Sequence, residues 1–274
     1  MILFPHAKIN LGLRVLQKRA DGFHELHTLF YPVTSLRDAL EMLPASQTTL
    51  HISGAQVPGD LDSNLCVKAH DMLSKDYTAV KPVSIFLHKQ IPVGAGLGGG
   101  SADGAFALML LNRLFRLELT IEELLPYAAQ LGSDCPFFLF ESPCLASGRG
   151  EILTPLSLDL SDYQIILVNP GIHVNTGWAF KELDRTEEEH YFQPEHGLPP
   201  ITQWKHVMHN DFESVVFKAY PEIEAIKNLM YRQGAVYASM SGSGSTVYGL
   251  FPKSLKPDLH FPDHYWTNIP GESQ

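Results

Sequence analysis

Apolar and polar positions alternate with a period of two through residues 7–15. Ala7, Ile9, Leu11, Leu13 and Val15 fall on one face, and Lys8, Asn10, Gly12 and Arg14 on the other. That is the pattern of a strand with one packed face, and it sets Lys8 and Asn10 side by side, on a face either solvated or part of a site. Asp21-Gly22 then separates two strand-like runs, a strong hairpin signal, with residues 26–33 as the returning strand. Phe23 and His24 lie just past the turn, placed either to pack on the core or to stack on and hydrogen-bond a ligand.

Residues 36–59 read as short strands and turns. Residues 65–73 have helical spacing, with Asp62 or Ser63 as the N-cap. Residues 83–88 are β-branched and aromatic, as in a strand, whereas 102–115 are apolar on nearly every side, as in a buried helix. Thr120 and Glu123 form a capping box for a helix to about Leu131, with Gly132 as its stop. Asp134 is then either the simple cap of a new turn or a carboxylate left for chemistry. Residues 137–140 lead into a strand, and Ser147 to Glu151 is a second glycine-containing loop.

From Ser157 the composition shifts toward Asp, Ser and Pro, so a domain boundary is expected there, giving domains 1–156 and 157–274. A strand over 164–168 precedes a long solvated connection, 184–200. Helices over 212–217 and 222–231, a strand over 235–239, the loop 241–245 and a strand over 246–251 complete the pattern, without internal repeats.

Between the strand 83–88 and the helix from 102 lie Pro92, Val93, Gly94, Ala95, Gly96, Leu97, Gly98, Gly99, Gly100 and Ser101, five glycines in ten residues. A strand, a glycine loop and a helix start aim backbone N–H groups and a helix dipole at an anion. Glycine lets phosphate oxygens approach closely and permits positive φ, and Ser101 is placed to cap the helix. Gly94, Gly96 and Gly99 satisfy the dinucleotide fingerprint, and Glu118 stands near its acidic position. A dinucleotide fold needs a strand after the helix, yet residues 117–119 run straight into the capping box at Thr120. No Gly-Lys-Ser/Thr ends the loop, and no protein-kinase HRD or DFG follows.

The formal net charge of the 274 residues is −10 and no block of Lys or Arg offsets it, which argues against a nucleic-acid surface. Phosphate binding must be local. Three cysteines in no metal-binding spacing are expected to be reduced thiols, and thirteen histidines show no paired-ligand pattern. The short apolar start is no signal peptide and no window approaches a membrane span. A cytoplasmic chain without a dedicated metal site is expected.

Three motifs, PHAKINLGL at 5–13, PVGAGLGGGSA at 92–102 and MSGSGST at 240–246, resemble in order those of the GHMP kinases. RADGFHEL at 19–26, LGSDCPFFL at 131–139 and SGRGEIL at 147–153 narrow the resemblance to members whose alcohol substrate carries a cytidine diphosphate group. The matches run from residue 5 to about 251. The resemblance implies a two-domain α+β GHMP kinase fold: an N-terminal, ATP-binding domain like the second domain of ribosomal protein S5, and a ferredoxin-like C-terminal domain. It implies transfer of the γ-phosphate of ATP to a hydroxyl on a tertiary carbon, on the non-mevalonate route to isoprenoid precursors. Mg²⁺ would accompany the nucleotide, with no dedicated protein site. The partner would be a small molecule, without nucleic acid or membrane, and the protein a monomer or homodimer.

By motif match Asp134 is implied as the general base and Lys8 as its partner. ATP falls to residues 92–102, ending at Ala102, with Lys89 on the adenine or ribose side. Asn10, Phe23, His24 and Phe30 are implied around the substrate, joined by Thr176 and Phe180 from the second domain. Ser241, Gly242, Ser243 and Gly244 would complete the substrate diphosphate or transfer site. Phe23 stands where the family usually has Tyr, and Ala102 and Asp103 where it has Ser and Asn. A charge at Asp103 disfavours a triphosphate unless it points away or helps hold Mg²⁺. Two other readings remain: a GHMP kinase for another small alcohol, and a nucleotide-binding module without catalysis. Retention of both Lys8 and Asp134 speaks against the second.

Overall fold

A computed structural model describes residues 1–56, 63–140, 142–183 and 197–271. In chain order the first half carries β1 (Ile2–Leu3), β2 (His6–Lys18), β3 (His24–Arg37), β4 (Ala39–Pro44), β5 (Thr49–Gly54), α1 (Leu65–Asp76), β6 (Val83–Lys89), α2 (Gly99–Phe115), α3 (Ile121–Leu131), β7 (Cys144–Ser147) and β8 (Ile152–Pro155). The second half carries β9 (Tyr163–Asn169), α4 (Thr176–Glu182), α5 (Trp204–Val207), α6 (Glu213–Ala219), α7 (Pro221–Arg232), β10 (Tyr237–Met240), β11 (Val247–Pro252) and β12 (Trp266–Asn268).

The strands form three four-stranded sheets, ordered β1-β4-β6-β5, β2-β3-β7-β8 and β10-β11-β9-β12. In the first, β5 and β6 run parallel, which requires the crossover that α1 supplies. Its apolar face packs with α1, α2 and α3 in one core that includes Leu40, Ile85, Leu108 and Leu111. A second core joins Ala7, Ile9 and Leu11 of β2 to Trp204, Tyr237 and Tyr248. The third sheet lies wholly beyond residue 157, but the two halves of the chain share this buried seam.

The alternation in β2 breaks at Gly12. Leu11 pairs with Leu29 and Leu13 with the next residue, Thr28, so one residue is bulged, and Gly12 takes φ of 67°. The bulge flips the phase. Ala7, Ile9 and Leu11 enter one core while Leu13 and Val15 enter another, rather than sharing the face expected. The polar side is also covered: Lys8 and Asn10 are buried.

Other boundaries also depart from expectation. Asn64 caps α1, its side chain accepting from Cys66 N–H; Ser63 does not cap it, and Asp62 lies outside the described residues. Helix α2 begins at Gly99 behind Gly98 in the left-handed conformation, so Ser101 sits inside the first turn and caps nothing. Residues 135–139 form a buried 3-10 helix, and the next strand starts only at Cys144. The capping box at Thr120 and Glu123 is present. Of the connection 184–200, only 197–200 are described.

A Cβ at Gly12 would meet nothing closer than 3.6 Å, so only backbone strain opposes a side chain there. Gly12→Ala is expected to cost about 1–2 kcal/mol of unfolding free energy, measured in urea. A loss several times larger would mean that the bulge itself collapses.

Candidate active site

Three of the loop glycines, Gly94, Gly96 and Gly98, have φ of 68°, 79° and 72°. At Gly96 a Cβ would lie 2.1 Å from Ser241 O, and at Gly98 2.9 Å from Phe138 Cζ. Glycine is therefore required for two reasons, conformation and close approach. Ser241 Oγ donates to Gly96 O at 2.8 Å and Thr246 N–H to Ala95 O at 3.3 Å. The loops 92–101 and 241–245 are thus one assembly. Helix α2 has neither a side-chain cap nor an acidic residue in its first turn, which leaves its N-terminal field open to an anion.

Beside this loop stands Lys8. Its N–H donates to Leu97 O at 2.9 Å, and its ammonium donates to Asn10 Oδ1 at 2.7 Å and pairs with Asp134 Oδ2 at 3.2 Å. Lys8 is only 4 % exposed and lies 4.8 Å over the Phe30 ring. Asp134 N-caps the 3-10 helix by position, but its side chain makes no capping bond. One third of that side chain is open to solvent. A carboxylate paired with an ammonium and open on one side is placed to meet a substrate hydroxyl. The adjacent Cys135 thiol is pushed up to about 12 by burial, which removes it as a nucleophile.

Asn10 is fixed from all sides. Its amide donates to Thr28 Oγ1 at 3.0 Å, which donates onward to Gly12 O at 2.5 Å. Tyr248 Oη donates to Asn10 O at 2.6 Å.

A cleft of about 580 Å³ extends from the glycine loop across Lys8, Asn10 and Asp134 to an aromatic end. There the His24 and Phe180 rings stack at 4.9 Å and 8°, and Phe212 meets Phe180 edge-on at 4.8 Å. The Phe23 ring is 53 % exposed, with the Arg149 guanidinium 4.8 Å above it. Thr176 and Ser243 share a hydroxyl hydrogen bond of 2.8 Å across the cleft's second wall. This volume is that of a small-molecule site.

Comparison with known proteins decides the family. The family models described as "GHMP kinases N terminal domain" and "GHMP kinases C terminal" match residues 64–142 and 199–259. A protein of Bacteroides fragilis (strain YCH46), named 4-diphosphocytidyl-2-C-methyl-D-erythritol kinase, is 49 % identical over 265 residues, covering 93 % of this chain and 94 % of that one. The chain belongs to the GHMP kinases. A Cytophaga hutchinsonii protein of the same name is 46 % identical over 261 residues, covering 94 % of each. A crystal structure titled 4-(cytidine 5'-diphospho)-2C-methyl-D-erythritol kinase superposes with a TM-score of 0.73 at 32 % identity, covering 97 % of this chain and 98 % of that one. Mevalonate kinase of Methanococcus jannaschii shares the fold at 12 % identity, with a TM-score of 0.64 and coverage of 93 % and 92 %.

Within this GHMP kinase fold, two site expectations need correction. Lys89 does not face a nucleotide: it is 3 % exposed and its ammonium is held by Asp38 and Asp103. Ala102 is fully buried in the α2 core, because the helix already turns at Gly99 and carries position 102 inward. Phe30 lines the cleft, 2 % exposed and tilted against Phe137 at 5.2 Å, as a floor beneath Lys8. Val93 is exposed, whereas Ala95 and Leu97 bury their side chains and present backbone. Asp103 points away from the loop's open side.

Sequence reasoning missed Thr28, Arg149, Phe212 and Asn210. Asn210 donates to Met240 O at 2.7 Å and Gly242 O at 2.8 Å, pinning the 241–245 loop. Arg149 lay inside a motif already singled out, so its position was available although its role was not.

A Cβ at Gly100 would meet nothing within 4 Å, in contrast to Gly96. Gly100→Ala is expected to leave ATP-analogue affinity within about threefold of wild type and to raise helix stability by roughly 0.5–1 kcal/mol. Gly96→Ala is expected to lose analogue binding and to melt lower. Calorimetry and thermal unfolding of both variants check this, and equal behaviour would contradict the loop packing.

Proposed function

We propose that the chain transfers the γ-phosphate of ATP to the 2-hydroxyl of 4-diphosphocytidyl-2-C-methyl-D-erythritol, a step toward isoprenoid precursors. The observation that carries this is the Lys8–Asp134 pair, standing between an anion-receiving loop and an aromatic end within one cleft. Relatives of that name, similar over nearly the whole chain, support the substrate.

The triphosphate lies on the backbone N–H groups of residues 94–101 and the α2 N-terminus, which position it and offset its charge. The acceptor hydroxyl comes beside Asp134 Oδ. As its oxygen forms a bond to the γ-phosphorus, its proton passes to Asp134 and the bond to the β,γ-bridging oxygen breaks, releasing ADP. Lys8, paired with Asp134, lowers the cost of negative charge at the transferring group. Asn10 holds the ammonium in register, since Thr28 and Tyr248 leave it no freedom. The cytosine ring would lie among Phe23, His24 and Phe180, and the 241–245 loop amides would meet the diphosphate. Among the described residues no three His, Cys, Asp or Glu side chains group to hold a metal, so Mg²⁺ would be carried chiefly by the nucleotide's phosphates. Among those residues no helix is long and apolar enough to cross a membrane, and a cytoplasmic setting suits an ATP-consuming step.

Phosphorylation of this substrate, followed by ³¹P NMR, is expected to give a new phosphomonoester signal. Asp134→Asn should lower kcat by about 10²–10⁴-fold, the worth of a positioned base, with KM for either substrate little changed. Turnover of other small alcohols only would overturn the substrate, and undiminished turnover by the variant would overturn the base. Phe180→Ala is expected to raise KM for the cytidine substrate about tenfold, the usual worth of one stacked base, at nearly constant kcat. A change confined to KM for ATP would contradict the placement of the base.

A further inference from the structure

Beneath the glycine loop, on the side away from the cleft, two carboxylates share one ammonium. Lys89, the last residue of β6, donates to Asp38 and, at 2.6 Å, to Asp103 Oδ2. Asp38, Lys89 and Asp103 are 1 %, 3 % and 3 % exposed. With both acids ionised the cluster would hold an uncompensated negative charge out of water, which a protein avoids by keeping a proton.

The surroundings decide where that proton sits. Asp38 Oδ1 accepts from Gln90 N–H at 2.6 Å and Ile91 N–H at 2.9 Å, while its Oδ2 faces the ammonium. Both oxygens of Asp38 are thus already taken up by donors. Asp103 Oδ1 is buried with no hydrogen-bond partner among the described residues. Burial, with the charge of Asp38 adding to it, pushes the Asp103 carboxyl up to about 8 although Lys89 opposes the shift. Burial likewise holds the Cys66 thiol of α1, which also faces the cluster, well above its ordinary value and neutral.

The cluster touches both ends of the loop. Lys89, Gln90 and Ile91 form its entry, and Asp103 lies on α2 just past its exit. A Cβ at Gly99 would stand 3.2 Å from Lys89 Nζ. Asp38 sits between β3 and β4, and its N–H donates to Pro5 O at 2.8 Å, three residues before Lys8. We propose that Asp38, Lys89 and Asp103 are positioning residues that hold one proton between two carboxylates, fix the entry and exit of the glycine loop, and weaken triphosphate binding when that proton is lost. The proposal rests on the reading that the loop receives ATP.

The sign follows from the direction of the shift. Asp103 holds its proton in the folded chain at pH values where the unfolded chain has lost it, so its contribution to stability falls as pH rises toward about 8. Above that pH the folded chain carries the buried charge, close to the α2 N-terminus that serves the triphosphate.

The test uses the whole chain as wild type and as Asp103→Asn, which keeps shape and an acceptor for Lys89 while removing the proton. Calorimetry with a non-hydrolysable ATP analogue at pH 7 and pH 9 is paired with thermal unfolding of the free protein. The wild-type Kd is expected to rise by up to about tenfold at pH 9, the dilution of a binding-competent form titrating near 8. Asp103→Asn should match wild type at pH 7, stay flat to pH 9 and melt above wild type at pH 9. A parallel rise in both proteins, or a variant that melts lower than wild type at pH 9, overturns the proposal. Absence of analogue binding at every pH overturns both the ATP assignment of the loop and this proposal. Normal analogue binding without turnover of the cytidine substrate overturns the proposed substrate alone, and the Kd and melting comparisons still decide the role of the cluster.

Discussion

One ammonium, held almost wholly out of water, is the constraint on which the rest of the site depends. Leaving a buried cation without its partner costs several kcal/mol, so Lys8 obliges the surrounding chain to present oxygen. Asn10 Oδ1 and Asp134 supply it, and the face of Phe30 supplies the underside. Each partner comes from a different part of the sequence. Strand β2 brings Lys8 and Asn10, the turn after α3 brings Asp134, and β3 brings Phe30. The same residue's backbone fastens Leu97, so the group that serves the carboxylate also sets where the glycine loop lies. Charge compensation and the placement of the glycine loop are coupled through one residue.

Two buried lysines flank the glycine loop and differ in what they leave open. Lys8 shares Asp134 with solvent, since a third of that carboxylate side chain is exposed. That carboxylate is therefore within reach of a bound molecule. Lys89 is sealed between Asp38 and Asp103, neither of which reaches the cleft. Its charge ties β6 to α2 and to the turn after β3. The loop thus has a chemical side and a supporting side, separated by the first turns of α2.

Much of this was legible from residue pattern, for physical reasons. The glycine loop was readable because few other needs place five glycines between a strand and an apolar helix. The Asp21-Gly22 hairpin and the Thr120 capping box were readable because their bonds are local. The bulge at Gly12 was not, because a single extra residue leaves the apolar alternation outwardly intact while reversing its second half. Ala102 was misplaced for a related reason. Which side of α2 faces the anion depends on where the helix begins, and Gly98 in the left-handed conformation starts it earlier than Ser101 would. Thr28 and Asn210 act through long-range hydrogen bonds to the backbone, and no local pattern announces such bonds.

The central claim is that Lys8 and Asp134 work as one unit. A double-mutant cycle on phosphate transfer, with Lys8→Met, Asp134→Asn and the double variant, tests it most directly. The expected result is strong non-additivity, the double variant losing about as much activity as the worse single one. Losses that multiply, so that the double variant falls by the product of the two single effects, would show two independent residues and contradict the account.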